Sequence, residues 1–180
     1  MPKFVADSAE TTGLKWASPA SGGMTSLVST TLSGNTTTVN FTPTGYNYLF
    51  IDVTQTTSAN GGAAIRINGD TASNYKQVST WYTGYGSVTN QQLSTTYWNP
   101  CAEGQNGMGS GSENRTSITI YAPNSSNRKL ASIFSTHSND SGYITNSFGT
   151  YSHSTTSTVT SVTWSSSNIT GGTITVWGVK

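Results

Sequence analysis

The feature that most narrows what this chain can become is a two-residue alternation that returns along its whole length. "YLFIDV" puts Leu49, Ile51 and Val53 in one phase, "AAIRIN" pairs Ile65 with Ile67, "TSITIYAP" pairs Ile118 with Ile120, and "GGTITVWGVK" pairs Ile174 with Val176. The stretch from Val159 to Trp164 follows the same rule. Successive side chains on an extended backbone point to opposite faces, so this spacing buries one side of a strand. No helix longer than about one turn is expected. Weaker strand candidates are Met24 to Leu32, Thr37 to Phe41, Lys76 to Trp81, Lys129 to Ser135 and Gly142 to Tyr151. Tyr48 and Phe50 load the opposite face of the "YLFIDV" strand. That predicts cover on both sides, from a second sheet on one and a loop or a neighbouring subunit on the other.

Turn residues sit between these segments in "TPTGYN", "NGD", "APNSSN", "NDSG" and "NITGG", where Gly and Asn supply positive-φ positions and Pro presets a corner. Aromatics reach 11% and Thr recurs throughout, a pairing that favours strands. Many short strands punctuated in this way predict an all-β chain, a two-sheet β-sandwich with jelly-roll-like winding. At 180 residues it fits one domain. The expected division is an extended N-terminal attachment segment over 1–23 and the sandwich over 24–180. No internal repeat is visible.

Charged residues make up 8% of the chain and the net charge is +1, which argues against a nucleic-acid footprint and against charge-driven disorder. No apolar run approaches the roughly 20 residues of a membrane helix, and Asp7 and Glu10 interrupt the start before a signal-peptide core can form. The single cysteine, Cys101, excludes an internal disulfide and reads as a small apolar filler.

Near the N-terminus the chain reads "VADSAETTGLKWASP". This stretch resembles the "ADS…TGLKW(A)" leader of tailed-bacteriophage virion appendage proteins, matched here by Ala6, Asp7, Ser8, Thr12, Gly13, Leu14, Lys15, Trp16 and Ala17. The closing "GGTITVWGVK" is similar to the last strand of phage fibre tips. Together these cover the leader and the final strand, and the middle matches in style only. The resemblance implies a tail fibre tip, a receptor-binding protein or a fibre-like decoration, homotrimeric, located on the virion and assembled in the host cytoplasm. In longer fibres the leader follows a shaft. Here attachment to other virion proteins is expected through the leader itself, with Phe4, Val5, Leu14 and Trp16 offering apolar area to a groove and Asp7 and Lys15 setting orientation.

The segment "WYTGYGSVTNQQLSTTYWNPC" gathers Trp81, Tyr82, Tyr85, Tyr97 and Trp98 with Gln91, Gln92 and Asn99. Flat rings stack on the apolar faces of sugars and amides pair with hydroxyls, so these are the candidate contacts to host-surface polysaccharide; the competing role for the same rings is core or interface packing. The following Gly-rich loop, Ala102 to Asn114, is long enough to cap a site or wrap a neighbour.

Catalysis has thin support. The acidic residues number 7 and no close carboxylate pair exists, leaving only Glu103 with Glu113 across the loop as a spatial possibility. Two histidines and one cysteine support neither a zinc site nor a nucleophilic triad, and Asn139 with Asp140 carries too few carboxylates for calcium. The expectation is a noncatalytic phage structural protein without metal or cofactor, binding host glycan; the alternative is a capsid or tail decoration with a purely structural role. Deleting residues 1–18 should leave a soluble, folded β-domain that no longer joins the particle. Unfolding of the truncated chain, read by circular dichroism, would instead make the leader part of the core.

Overall fold

The alternating segments become strands almost one for one. The structure, a computed structural model, describes residues 4–5, 15–16, 23–82, 88–101, 108–111, 113–139 and 141–180, with 4–5, 15–16 and 88–94 described as backbone alone. In chain order the strands are β1 (Phe4–Val5), β2 (Lys15–Trp16), β3 (Met24–Thr31), β4 (Thr36–Asn40), β5 (Tyr48–Thr57), β6 (Ala63–Ile67), β7 (Tyr75–Tyr82), β8 (Val88–Thr95), β9 (Glu113–Tyr121), β10 (Lys129–Ser138), β11 (Ile144–His153), β12 (Ser161–Ser166) and β13 (Ile169–Val179). No helix occurs among the described residues. The main body is two antiparallel sheets, eight strands in the order β3-β13-β5-β9-β10-β11-β7-β8 and three in the order β4-β12-β6. Within the leader, β1 pairs with β2 and sets Phe4 opposite Trp16 and Val5 opposite Lys15, an internal ladder that its apolar spacing does not reveal.

The two-sheet sandwich is as expected. Its layers are unequal, eight strands against three, where a jelly roll winds eight strands through its two sheets. β8 escapes the alternation rule because "VTNQQLST" follows one polar residue with another, so no apolar face marks its period. The boundary at "NITGG" also differs: the turn is Ser167–Asn168, and β13 already begins at Ile169. Elsewhere the turn chemistry acts as expected. Asn68 and Gly69 adopt φ of 53° and 65°, the pair of left-handed positions that a tight turn needs.

The core lies between the sheets. From the large sheet come Leu49, Ile51, Val53, Ile118, Ile120, Ala131, Ile133, Ile174 and Val176, and from the small one Val39, Ile65, Ile67, Val162 and Trp164, all buried. Each fully buried aliphatic of this size contributes about 1.5–3 kcal/mol relative to exposure. A three-stranded layer cannot cover all of an eight-stranded one. Where it stops, the inner face turns polar, with Gln77, Ser79, Thr116, Ser135, Thr145 and Ser147 all buried. Gln77 and Ser147 of this set, with Tyr151, hold the backbone of 98–101. Gln77 Oε1 accepts the Asn99 N–H at 2.7 Å, Tyr151 donates to the Asn99 carbonyl at 3.1 Å, and Ser147 donates to the Pro100 carbonyl. An irregular segment brings unpaired amides with it, and burying them requires such partners.

The closing strand shows a tight steric fit. A methyl group at Gly178 would sit 2.5 Å from the ring of Tyr46, so the "WGVK" glycine is held by that ring lying flat on the backbone.

At one end of the polar zone, buried His153 sits 4.2 Å from the Tyr75 ring. Its Nδ1 accepts the Thr155 N–H at 3.0 Å, which puts the neutral ring's proton on Nε2. Nε2 lies 2.9 Å from Asp70 Oδ2, off the line of a good hydrogen bond. Burial lowers the His153 pKa, and Asp70 opposes that shift without reversing it. The folded chain therefore prefers neutral His153 while the unfolded chain protonates near 6.5. Stability should be fully present above pH 6.5, fall as the pH drops below it, and stop falling on this account once the folded form is protonated too. Urea midpoints measured from pH 8 to pH 5 should show that decline, and His153→Gln should remove most of it.

Candidate functional site

The aromatic segment singled out in the sequence does not form one platform. Trp81 points inward from β7 and is buried, while Tyr82 beside it points outward with 44% of its surface exposed. Trp98 and Asn99 are buried as well, so neither stands at the surface where a glycan would meet it. Trp98 Nε1 donates to the Ser152 carbonyl at 2.9 Å, and its ring packs edge-on against Tyr75 at 5.8 Å. Asn99 Oδ1 accepts the Cys101 N–H at 3.1 Å. Gln91 and Gln92 lie in β8 opposite Ser79 and Val78, and Tyr85 lies outside the described residues. The physical reason is the alternation itself. Trp81–Tyr82 are neighbours on the extended backbone of β7, so one ring must face in, and the bridge to Ile65 turns Trp98 into the core beside Tyr97.

Tyr97 is the ring that reaches a groove. Ile65 and Trp98 form an isolated antiparallel bridge, with Ile65 N–H to the Trp98 carbonyl at 2.9 Å and Trp98 N–H to the Ile65 carbonyl at 3.0 Å. The bridge carries 97–98 along the free edge of β6, with Trp98 in the core and Tyr97 beside outward-facing Arg66. The Arg66 guanidinium lies 5.6 Å from the centre of the Tyr97 ring, within cation–π range, and its Nε donates to the Thr96 carbonyl at 3.2 Å. Together with Asn35, Ala64, Ser165 and Ser167 they line a depression of about 410 Å³ on the outer side of the three-stranded sheet. Composition in the sequence points to Tyr97 without Arg66, because 31 positions separate them and only the bridge brings them together.

A second concavity, of about 510 Å³, lies on the outer side of the large sheet, walled by Val78, Phe134 and Phe148 and floored by Ser117, Thr119 and Ser132. Tyr82 stacks on Phe148 with ring centres 5.7 Å apart. Beyond it Arg115 makes a two-pronged pair with Asp52 at 3.1 and 3.0 Å, which holds the Arg115 pKa above its ordinary value. Every exposed large apolar side chain among the described residues except Tyr143 projects from this face. The double loading at Tyr48 and Phe50 belongs to it. Tyr48 packs edge-on against Tyr121 and Phe50 against Trp177, with Tyr48 still 42% exposed.

Reactive groups elsewhere are tied into the fold. Cys101 is buried 3.3 Å from Ser135 Oγ, and burial pushes its thiol pKa up to about 11, as suits a filler side chain. His137 and His153 sit at opposite ends of the β10–β11 pair, opposite Thr145 and Lys129. Asn139 Oδ1 is occupied by the Ser141 and Tyr143 amides at 3.1 and 2.8 Å, and Asp140 lies outside the described residues. Glu113 and Asn114, expected in the Gly-rich loop, open β9, while residues 102–107 and 112 of that loop, with Glu103, lie outside the described residues. Among the described residues no group of three or more His, Cys, Asp or Glu could hold a metal ion. Of the expected attachment residues, Phe4, Val5, Lys15 and Trp16 form the β1–β2 ladder, and Asp7 and Leu14 lie outside the described residues.

Comparison with protein families, with curated proteins and with solved structures finds no match to this chain.

Burial separates the interior rings from the partly exposed ones. Trp98→Ala should lower unfolding free energy by about 3–5 kcal/mol, whereas Tyr97→Ala, at a half-buried groove wall, should cost about 1 kcal/mol or less. Denaturant titration of the two variants reads the difference.

Proposed function

We propose that this chain is a noncatalytic virion protein of a tailed phage, a tail-fibre tip or receptor-binding protein that acts as a homotrimer, joins the particle through residues 1–23 and recognises host-surface glycan. The phage assignment draws on the leader and closing-strand resemblance. The glycan half rests on one observation: Tyr97, a ring of the sugar-binding composition picked out in the sequence, stands in a polar groove beside Arg66, Asn35 and two serines. Ring faces and fixed polar groups converging on a concavity are what orient a saccharide.

The outer face of the large sheet supports the assembly half. It combines Met24, Val78, Leu130 and Ile144 with its rings, and aliphatic side chains gathered with aromatics on one face are the composition of protein contact. In this reading the face is where copies of the chain meet. The same observation favours a second reading, a capsid or tail decoration that contacts its neighbours through this face and recognises no host ligand.

Adsorption separates the two. Purified chain in excess should block attachment of the particle to host cells, and Tyr97→Ala should block poorly while remaining folded and oligomeric by light scattering. Wild-type chain that leaves adsorption untouched, together with a Phe134→Ser/Phe148→Ser double variant that no longer joins the particle, would favour decoration.

A further inference from the structure

We infer that the Arg66–Tyr97 groove is an anion subsite, and that the saccharide it takes carries an oxyanion, a carboxylate or a phosphate, held by the Arg66 guanidinium. This rests on the glycan reading of the same groove and adds the chemical class of the ligand.

Of the three arginines, Arg128 stands exposed just before β10, and the other two, Arg115 and Arg66, differ in what neutralises them. Arg115 is matched by Asp52 in a two-pronged pair. Arg66 has no carboxylate partner among the described residues: its Nε is bound to the Thr96 carbonyl and its central carbon lies over the Tyr97 ring. Both contacts fix the orientation of the guanidinium while leaving its terminal nitrogens without a hydrogen bond to a described residue. A planar fork held from behind by a carbonyl and from the side by a ring is pre-organised for an oxyanion, which it grips through two parallel N–H donors.

The rest of the groove fits the same ligand. No acidic residue lines it among the described residues, so nothing there repels an anion. Ser165 and Ser167 add hydroxyls, and Asn35 an amide, that match sugar hydroxyls rather than a bare ion. Its volume of about 410 Å³ falls in the range of small-molecule sites. The scaffold is rigid: Arg66 stands on β6 opposite Thr163, whose hydroxyl is bonded to Thr38 at 2.9 Å, and Tyr97 is carried on the bridge to Ile65. The other candidate face lacks this combination, because its one arginine is already paired.

The test is calorimetric titration of the whole chain with three soluble polymers: polygalacturonate for the carboxylate, poly(glycerol phosphate) for the phosphate, and neutral dextran. At least one acidic polymer should bind and dextran should not; which acidic polymer binds tighter identifies the oxyanion. Arg66→Gln keeps a donor for the Thr96 carbonyl and should weaken the acidic polymer by about tenfold or more. Arg66→Lys should recover part of that loss, since charge remains and the fork does not. Both variants should melt within a few degrees of the parent. If Arg66→Gln does not fold, free galacturonate and galactose added to the parent chain give the answer, and only galacturonate should shift the amide signals of 62–66 and 165–167. Equal affinity for dextran, or acidic binding untouched by Arg66→Gln, overturns the anion subsite and leaves glycan binding standing. Failure of every polymer and both sugars overturns the two together.

Discussion

Everything in this fold follows from covering an eight-stranded sheet with a layer only three strands wide. Over β5, β9, β13 and part of β10 the match is apolar, and Ile51, Ile118, Val176 and Ile133 meet Ile65, Ile67, Val162 and Trp164 in one dry cluster. Over β7 and β11 the covering layer is the irregular stretch 98–101, and an irregular backbone can be buried only against groups that take its hydrogen bonds. There the inner face mixes Gln77, Ser79, Thr145 and Ser147 with the rings of Tyr75, Trp81 and Tyr151. Trp164 ties the two regimes together, since its ring lies in the apolar cluster while its Nε1 donates to Gln55, whose own Nε2 donates to Ser166 at 3.1 Å. Removing one member of such a chain leaves its neighbour buried and unpaired, which costs more than the bond contributed.

The same arrangement decides where charge can stand. With so few ionisable groups, hydroxyl and amide side chains bond one another between strands, as Thr38 does with Thr163 and Thr54 with Thr173. Lys129 is buried with no acid beside it among the described residues; its ammonium donates to the carbonyls of Ser125 and Asn127 and closes the β9–β10 loop, and burial pulls its pKa down. Arg115 is neutralised by Asp52. Arg66 thus stands over a groove with its Nε on the Thr96 carbonyl and its terminal nitrogens bonded to no described residue. The two broad faces differ in kind: one ring-rich with its arginine paired to Asp52, the other hydroxyl-lined around a guanidinium.

The strands are legible in the sequence because burial on one face writes itself into alternation, and Leu49, Ile51 and Val53 or Ile118 and Ile120 leave a period that a helix would not produce. β8 is not legible because its residues are polar in both phases. The candidate site is half legible: the ring-and-amide composition draws attention to Tyr97, but the same reasoning draws it to Trp81, Trp98 and Asn99, which are interior. A ring's type carries no record of which face it takes when its neighbour in sequence is another ring. Asn99 and Gln77 look like surface amides in the sequence and are buried partners of backbone.

From its sequence alone this chain determined that it is built of short antiparallel strands, which residues of the apolar-phased strands face the core, and where tight turns such as Asn68–Gly69 fall, since these depend on local φ preference and on side chains two positions apart. Tertiary structure alone decided the eight-to-three division of strands, the use of 98–101 as part of the covering layer, and the meeting of Arg66 with Tyr97. Those depend on which strand edges find each other across tens of residues, and a hydrogen-bonded bridge such as Ile65 with Trp98 is made by backbone groups that nearly every residue carries.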